Sequence, residues 1–423
     1  MKILFENATL VGGEKEKSYI VTENDKIVFV GDCLPDGNFD RRINCKGKIL
    51  TSALYNTHSH IAMTVFRGLG GDLPVQKWLD NVILPLEDSL TEEKVRASVT
   101  LGMAEMIRTG TVSFSDMYMF TKITAEEAIK SGMKANIARG LVCFDDEKSI
   151  IGDERFEEAR NVYDEFNGEA NGRIKIDFAV HAEYTAREKY TREVREYAER
   201  VGARLQAHLS EGADEVKKCY AKRGMTQTEF FERCGYFDLP VTLAHCVHLT
   251  DSDIDILESH KNNVFISHNP TSNLKLASGI MRYSYLLERG FTVSLGTDGA
   301  ASNNRQDMFR EINLSALLAK GITQNAALVR AEDALFSAQR AGALSQGREL
   351  SGEIKVGAKA DIILVDTESL SNIPAPDAAQ TLVYSASGSD VTLTMCDGKI
   401  LYEDGRFNTI DVERAVYEIK KYI

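Results

Sequence analysis

Between residues 51 and 299 the chain repeats one pattern. A short apolar run is followed by a longer stretch with apolar residues every three or four positions. The apolar runs are "TVSFSDM" (111–117), "KANIARGLV" (134–142), "KIDFAVHA" (175–182), "RLQAHLSE" (204–211), "VTLAHCV" (241–247), "VFISHNP" (264–270) and "TVSLGTDG" (292–299). Near-continuous apolar runs of this length predict buried strands, as in parallel sheets. With "LYNTHSHIAMT" (54–64) they number eight. Helical periodicity fills the gaps at 92–108, 124–131, 153–166, 185–200, 213–222, 250–259 and 278–289, with two more helices at 305–319 and 324–341. Eight strands alternating with helices predict an α/β fold, a (β/α)8 barrel over 51–349.

The two ends follow a different rhythm. Residues 1–50 and 350–423 alternate in short pieces broken by turns such as "GGEK" and "ENDK". Neither end carries enough apolar residues for a core of its own. Together they predict one discontinuous β-sandwich domain.

Barrel enzymes place their chemistry at the C-terminal ends of the strands. The polar residues of this chain gather there. His58 and His60 end the first run, His181 the fourth, His208 and Glu211 the fifth, His245 the sixth, His268 the seventh and Asp298 the eighth. Only His248 and His260 of the eight histidines lie elsewhere. Side chains at i and i+2 of a strand share a face, so His58 and His60 point the same way. With His208 and Asp298 they make an N3O set suited to zinc or ferrous iron. His245 is expected to carry a proton, His268 to stand behind the site, and His248 and His260 to be structural.

A bound divalent metal lowers the pKa of a water ligand from 15.7 to about 7, which makes hydrolysis the expected chemistry. Asp298 and His245 would take the water proton. Glu211, three residues after His208, would protonate a ring nitrogen and then assist the leaving group. An amidine-type C–NH2 group needs both services.

Charge and cysteines narrow the partners. The formal charge of −13 argues against nucleic acid or an anionic membrane and favours a small-molecule substrate. Seven cysteines without a CxxC pair point to a reduced, cytoplasmic protein. The first residues, "MKILFENATLVGGEKEK", lack the apolar core of a signal peptide, and no run approaches the ~18 apolar residues of a membrane span. A homo-oligomer is left open.

The stretches "NTHSH", "HLSE", "LAHCVHLT", "SHNPTSNLKLASGI" and "SLGTDGAASNNRQDMF" together resemble the amidohydrolase superfamily. Within it they resemble the 5′-methylthioadenosine/S-adenosylhomocysteine deaminases over nearly the whole chain, including "GEIKVGAKADIILVD" in the tail. The resemblance implies one metal, usually zinc, on His58, His60, His208 and Asp298, with Glu211 and His245 in proton transfer. It also implies nucleoside contacts at Trp78 and Glu87, a purine contact at His181, and Arg139 and Arg155 near a charged 5′ tail, with Ser302 as a further contact. One departure stands out: "LTSALYNTHSH" lacks the Pro-Gly that commonly precedes the two histidines. The alternatives are a triazine or halide hydrolase and a guanine-type deaminase. A two-metal cyclic-amide hydrolase would need a bridging lysine at the fourth strand end, and residues 176–188 contain none.

Overall fold

The computed structural model describes residues 1–73 and 75–422. The chain begins with five short strands, β1 (Lys2–Ala8), β2 (Ser18–Glu23), β3 (Lys26–Gly31), β4 (Arg41–Asn44) and β5 (Lys48–Ser52). The barrel strands follow: β6 (Leu54–Ser59), β7 (Thr111–Tyr118), β8 (Lys134–Leu141), β9 (Ile174–Val180), β10 (Leu205–Leu209), β11 (Val241–His245), β12 (Val264–His268) and β13 (Thr292–Leu295). Four tail strands complete the set, β14 (Ile362–Asp366), β15 (Val391–Cys396), β16 (Lys399–Glu403) and β17 (Arg406–Phe407).

Strands β6 to β13 form one eight-stranded sheet in sequential order, and every neighbouring pair is parallel. Its two edges meet. Thr57 Oγ1 donates to Leu295 O at 2.9 Å, and Asp298 N donates to His58 O at 2.9 Å. The closure therefore runs through two of the predicted site residues. Helices cover the outside, as burial of both faces of a parallel sheet requires. Their limits follow local signals. Thr91 and Asp153 cap the helices Glu92–Arg108 and Glu154–Phe166, and Gly132, Gly202 and Gly224 end three others in the left-handed region.

The ends of the chain build two sheets, ordered β3-β2-β1-β4 and β17-β16-β15-β14-β5. They share a core of Ile3, Phe5, Ile20, Leu50, Ile362, Leu364, Leu393 and Met395. Strand β5 from the N-terminal part pairs antiparallel with β14 from the tail. That pairing makes the unit discontinuous, as expected. Only Ala53 separates β5 from β6, and its N–H bonds to Asp361 O at 3.0 Å. The chain thus enters the barrel in extended form at the point where the sequence lacks the Pro-Gly.

Several expected limits shift. The helix expected over 278–289 spans Tyr283–Glu288: Gly279 takes a φ of 127°, and Arg282 is still non-helical at the N-cap. The helix expected over 324–341 begins at Ala331, and 305–319 becomes Met308–Thr323. The β-rich tail also ends in a helix, Val412–Ile419, which buries Ala415 and Ile419. Pro270–Lys275 adds a short helix after β12, where the long strand run had been extended through Pro270.

At the N-terminal end of the barrel a buried ion pair joins the two parts of the fold. Lys134, the first residue of β8, meets Asp361 and lies 2.8 Å from Asp397 Oδ1. Tyr55 OH and Ser351 Oγ donate to the same Asp361 carboxylate, at 2.5 and 3.0 Å.

Candidate metal centre and substrate cavity

The C-terminal ends of the barrel strands converge on one cluster. His58 and His60 leave β6, His208 leaves β10, His245 ends β11, and Asp298 lies just beyond β13. The chain turns sharply to aim them. Ser210, His245, Cys246 and Asp298 all take left-handed backbone angles, with φ between 50° and 74°. Each such non-glycine residue costs about 1–3 kcal/mol, and such strain clusters at functional sites.

The imidazoles are oriented from behind. His60 Nδ1 donates to Met117 O at 2.6 Å, and His208 Nδ1 donates to His181 O at 2.7 Å. Both rings therefore turn an Nε2 lone pair inward. Asp298 Oδ1 lies 3.5 Å from His58 Nε2 and 3.3 Å from His60 Nε2, while His208 Nε2 lies 3.4 Å from His60 Nε2. His58 Nε2 is buried without a hydrogen-bond partner. Converging lone pairs with an orphaned buried nitrogen fit a divalent cation, which would satisfy them together.

Protonation agrees with that fit. Burial brings the His58 ring down to about 4 and holds His208 well below the usual imidazole range. Both are neutral at pH 7, as metal ligands must be. Burial alone would raise the Asp298 carboxyl, but the neighbouring His58 and His60 rings outweigh it and hold it well below the usual range. His245 goes the other way. Burial opposes its charge, yet Glu211 and Asp298 pull its pKa above the ordinary value. His245 is thus the ring of the cluster best placed to hold a proton.

Beside the cluster opens a cavity of about 610 Å³. Glu211 enters it with Oε2 3.8 Å from His245 Nε2. His181, Trp78, Glu87, Arg139, Arg155 and Ser302 line it as well. Every site residue expected from the sequence therefore lies in the cluster or lines the cavity beside it. The details differ among them. Arg139 Nε is already paired with Glu158 Oε2 at 2.8 Å, whereas Arg155 is exposed. Ser302 Oγ donates to Asp298 Oδ2 at 2.9 Å, so it supports the cluster besides facing the cavity. His268 stacks on Tyr283 at 5.4 Å behind the site. His248 Nε2 bonds to Ser278 O at 2.6 Å, and His260 pairs with Glu232 near the surface.

Residues 49–401 match the sequence profile of the amidohydrolase family. The chain belongs to the amidohydrolase family. Its similarity to particular amidohydrolases covers its full length. It is 39% identical to the 5-methylthioadenosine/S-adenosylhomocysteine deaminase of Caldanaerobacter subterraneus subsp. tengcongensis, over 100% of this chain and 98% of that one. It is 39% identical to the 5′-deoxyadenosine deaminase of Methanosarcina acetivorans, over 99% and 96% of the two chains. Among solved structures, a zinc-bound adenosine deaminase from Xanthomonas campestris superposes with a TM-score of 0.93 at 29% identity, covering 99% of this chain and 97% of that one.

Four contributors to this amidohydrolase site were not singled out from the sequence. Tyr118 OH, at the end of β7, donates to Glu87 Oε1 at 2.6 Å. Ser272 Oγ donates to Asp298 Oδ2 at 2.5 Å, and Asn273 Oδ1 lies 2.8 Å from His245 Nδ1. Ser278 Oγ donates to Glu211 Oε1 at 3.1 Å. The last three lie within "SHNPTSNLKLASGI", a stretch that carried the resemblance but suggested no roles.

Proposed function

We propose that this chain hydrolytically deaminates adenine nucleosides modified at the 5′ carbon, such as 5′-methylthioadenosine, 5′-deoxyadenosine or S-adenosylhomocysteine. One juxtaposition carries the reading. Two donor groups that share His58, one with His60 and Asp298 and one with His208 and His245, lie beside a cavity that the Glu211 carboxylate enters and whose wall also presents Trp78 and Glu87. The full-length similarity to deaminases of such nucleosides supports it.

His58, His60, His208 and Asp298 would hold one divalent ion, zinc in preference to ferrous iron. When bound, such an ion supplies Lewis acidity and brings the pKa of a water ligand to about 7. The chain's own groups do the rest. Asp298 and His245 orient the attacking water and take its proton, and the raised pKa of His245 suits it to keep one. Glu211 hands a proton to the ring nitrogen next to the attacked carbon. A C–O bond forms and the C–NH2 bond breaks. One water proton ends on the ring nitrogen and the other leaves with ammonia, giving the inosine analogue. Glu87 accepts from the ribose hydroxyls, Trp78 packs against the nucleoside, and His181 contacts the purine. Arg139 and Arg155 stand toward the 5′ substituent.

The test is ammonia release, with the matching ultraviolet change, on a panel of adenosine, 5′-deoxyadenosine, 5′-methylthioadenosine and S-adenosylhomocysteine. Turnover of 5′-modified members is expected. No change with any member, or chloride release from an s-triazine instead, overturns the proposal.

A further inference from the structure

One short segment touches every proton-handling group of the site. The chain from Asn269 to Gly279 leaves β12, makes the helix Pro270–Lys275, and folds back over the strand ends. Ser272 reaches Asp298 from β13, Asn273 reaches His245 from β11, and Ser278 reaches Glu211 beyond β10. The three targets come from three different strands, 87 residues apart at the extremes (Glu211 to Asp298).

The segment is itself held rigidly. Ser278 N donates to Asn273 O at 2.8 Å, Asn273 N donates to Asn269 O at 3.0 Å, and His248 Nε2 fastens Ser278 O at 2.6 Å. Thr271 N donates to the buried Glu311 carboxylate at 3.1 Å. Asn269, Ser272, Asn273 and Ser278 are all buried. A rigid support of this kind can fix side-chain direction to a fraction of an ångström, the tolerance that catalytic geometry demands.

We propose that this segment is the positioning element of the site, with Ser278 orienting Glu211 and Asn273 orienting His245. Glu211 is the freest of the reacting groups, since Ser278 Oγ is the one hydrogen-bond donor to its carboxylate among the described residues. The bond leaves the second oxygen, Oε2, facing His245 Nε2. Asn273 does the matching work for the ring. By accepting the Nδ1 proton it reserves His245 Nε2 for the cavity side. Ser278 and Asn273 act through Glu211 and His245 and touch no substrate themselves.

The inference rests on the proposed deamination, and the experiment separates the two. The wild-type protein with bound metal is assayed first on the nucleoside panel, and inactivity there refutes the deamination reading. Given an active wild type, Ser278→Ala, Ser278→Thr and Asn273→Ala are compared with it by kcat, KM, metal content and unfolding midpoint. A hydrogen bond to a charged group, when lost, corresponds to roughly a tenfold change. Ser278→Ala is expected to lower kcat about tenfold with KM unchanged within about twofold. Metal content and midpoint should not move, and Ser278→Thr, which keeps the hydroxyl, should recover most of the loss. Asn273→Ala should lower kcat in the same way. A kcat for Ser278→Ala within twofold of wild type overturns the proposal. So does a loss that Thr fails to rescue, or one that follows the unfolding midpoint, because either marks a merely structural residue.

Discussion

Tyr118→Phe should weaken nucleoside binding through the ribose and leave the chemistry intact. In the structure the Tyr118 hydroxyl donates to Glu87 Oε1 at 2.6 Å, and Tyr118 is 6% exposed. Burial raises the Glu87 carboxyl above its usual pKa, and the Tyr118 hydrogen bond is the largest influence holding it down. Removing the hydroxyl therefore has two effects. It frees the carboxylate to turn away from the position proposed to meet the ribose. It also raises the pKa of Glu87 further, so the group protonates at a higher pH. A hydrogen bond to a charged group contributes about 1.5–3 kcal/mol. Glu87 is only half-buried, so the lower end applies, and ~1.5 kcal/mol is roughly a tenfold rise in KM. The assay is steady-state deamination of 5′-deoxyadenosine between pH 5 and pH 8. KM should climb as the pH falls, because the protonated carboxyl loses an acceptor site. In Tyr118→Phe that climb should begin at higher pH, with kcat at each pH close to that of the wild type. A 2′,3′-dideoxy analogue, which offers Glu87 nothing to hold, should show the same KM with both proteins. Equal KM values for the ribonucleoside, or an equal rise for the dideoxy analogue, would refute the link from Tyr118 through Glu87 to the ribose.

Glu211→Gln keeps size and a hydrogen-bond acceptor but cannot relay a proton, so kcat should fall by roughly 10²–10⁴; metal analysis should show full occupancy, and retained turnover would remove Glu211 from its role. Chelation should abolish activity and zinc should restore it, with elemental analysis returning one ion per chain; two ions would contradict a single N3O site. Lys134→Met leaves Asp361 buried without its cation, a change that costs about 3–5 kcal/mol, read as a lowered midpoint in urea; the double variant Lys134→Met, Asp361→Leu should recover much of it, and equal midpoints for wild type and Lys134→Met would show the pair to be energetically idle.

The histidine and aspartate cluster was legible because its signals are local. His58 and His60 share a face by strand periodicity alone, and His208, His245 and Asp298 each close an apolar run. The eight barrel strands were legible for the same reason, since each is short, apolar and bounded. Tyr118 was missed because a tyrosine one residue past an aspartate-methionine pair looks like any strand end; its partner Glu87 is 31 positions away. Ser278 and Asn273 were missed because no sequence period connects a loop after β12 to carboxylates and rings beyond β10 and at the end of β11. The terminal helix Val412–Ile419 was missed because it is only eight residues long and follows four strands. It is stabilised by burying Ala415 and Ile419, which is a tertiary effect.

Stability and reactivity occupy opposite ends of this barrel, and that division has a measurable consequence. At the N-terminal end, Lys134, Asp361, Tyr55 and Ser351 form a closed, fully partnered set that ties β6 and β8 to the approach of β14. At the C-terminal end, His58 Nε2 lacks a partner, and Ser210, His245, Cys246 and Asp298 carry left-handed angles. The first arrangement leaves no buried charge unpaired, so the fold carries no uncompensated burial cost there. The second raises the energy of the fold, and metal binding is the event that would recover the difference. Mutations at the two ends should therefore act independently, because sites with no shared partners add. Lys134→Met should shift the unfolding midpoint with KM and kcat unchanged, while Ser278→Ala should lower kcat with the midpoint unchanged. The double variant should show both effects at full size. A midpoint loss in the double variant larger than in Lys134→Met alone, or a kcat loss in Lys134→Met alone, would mean the two ends communicate through the strands.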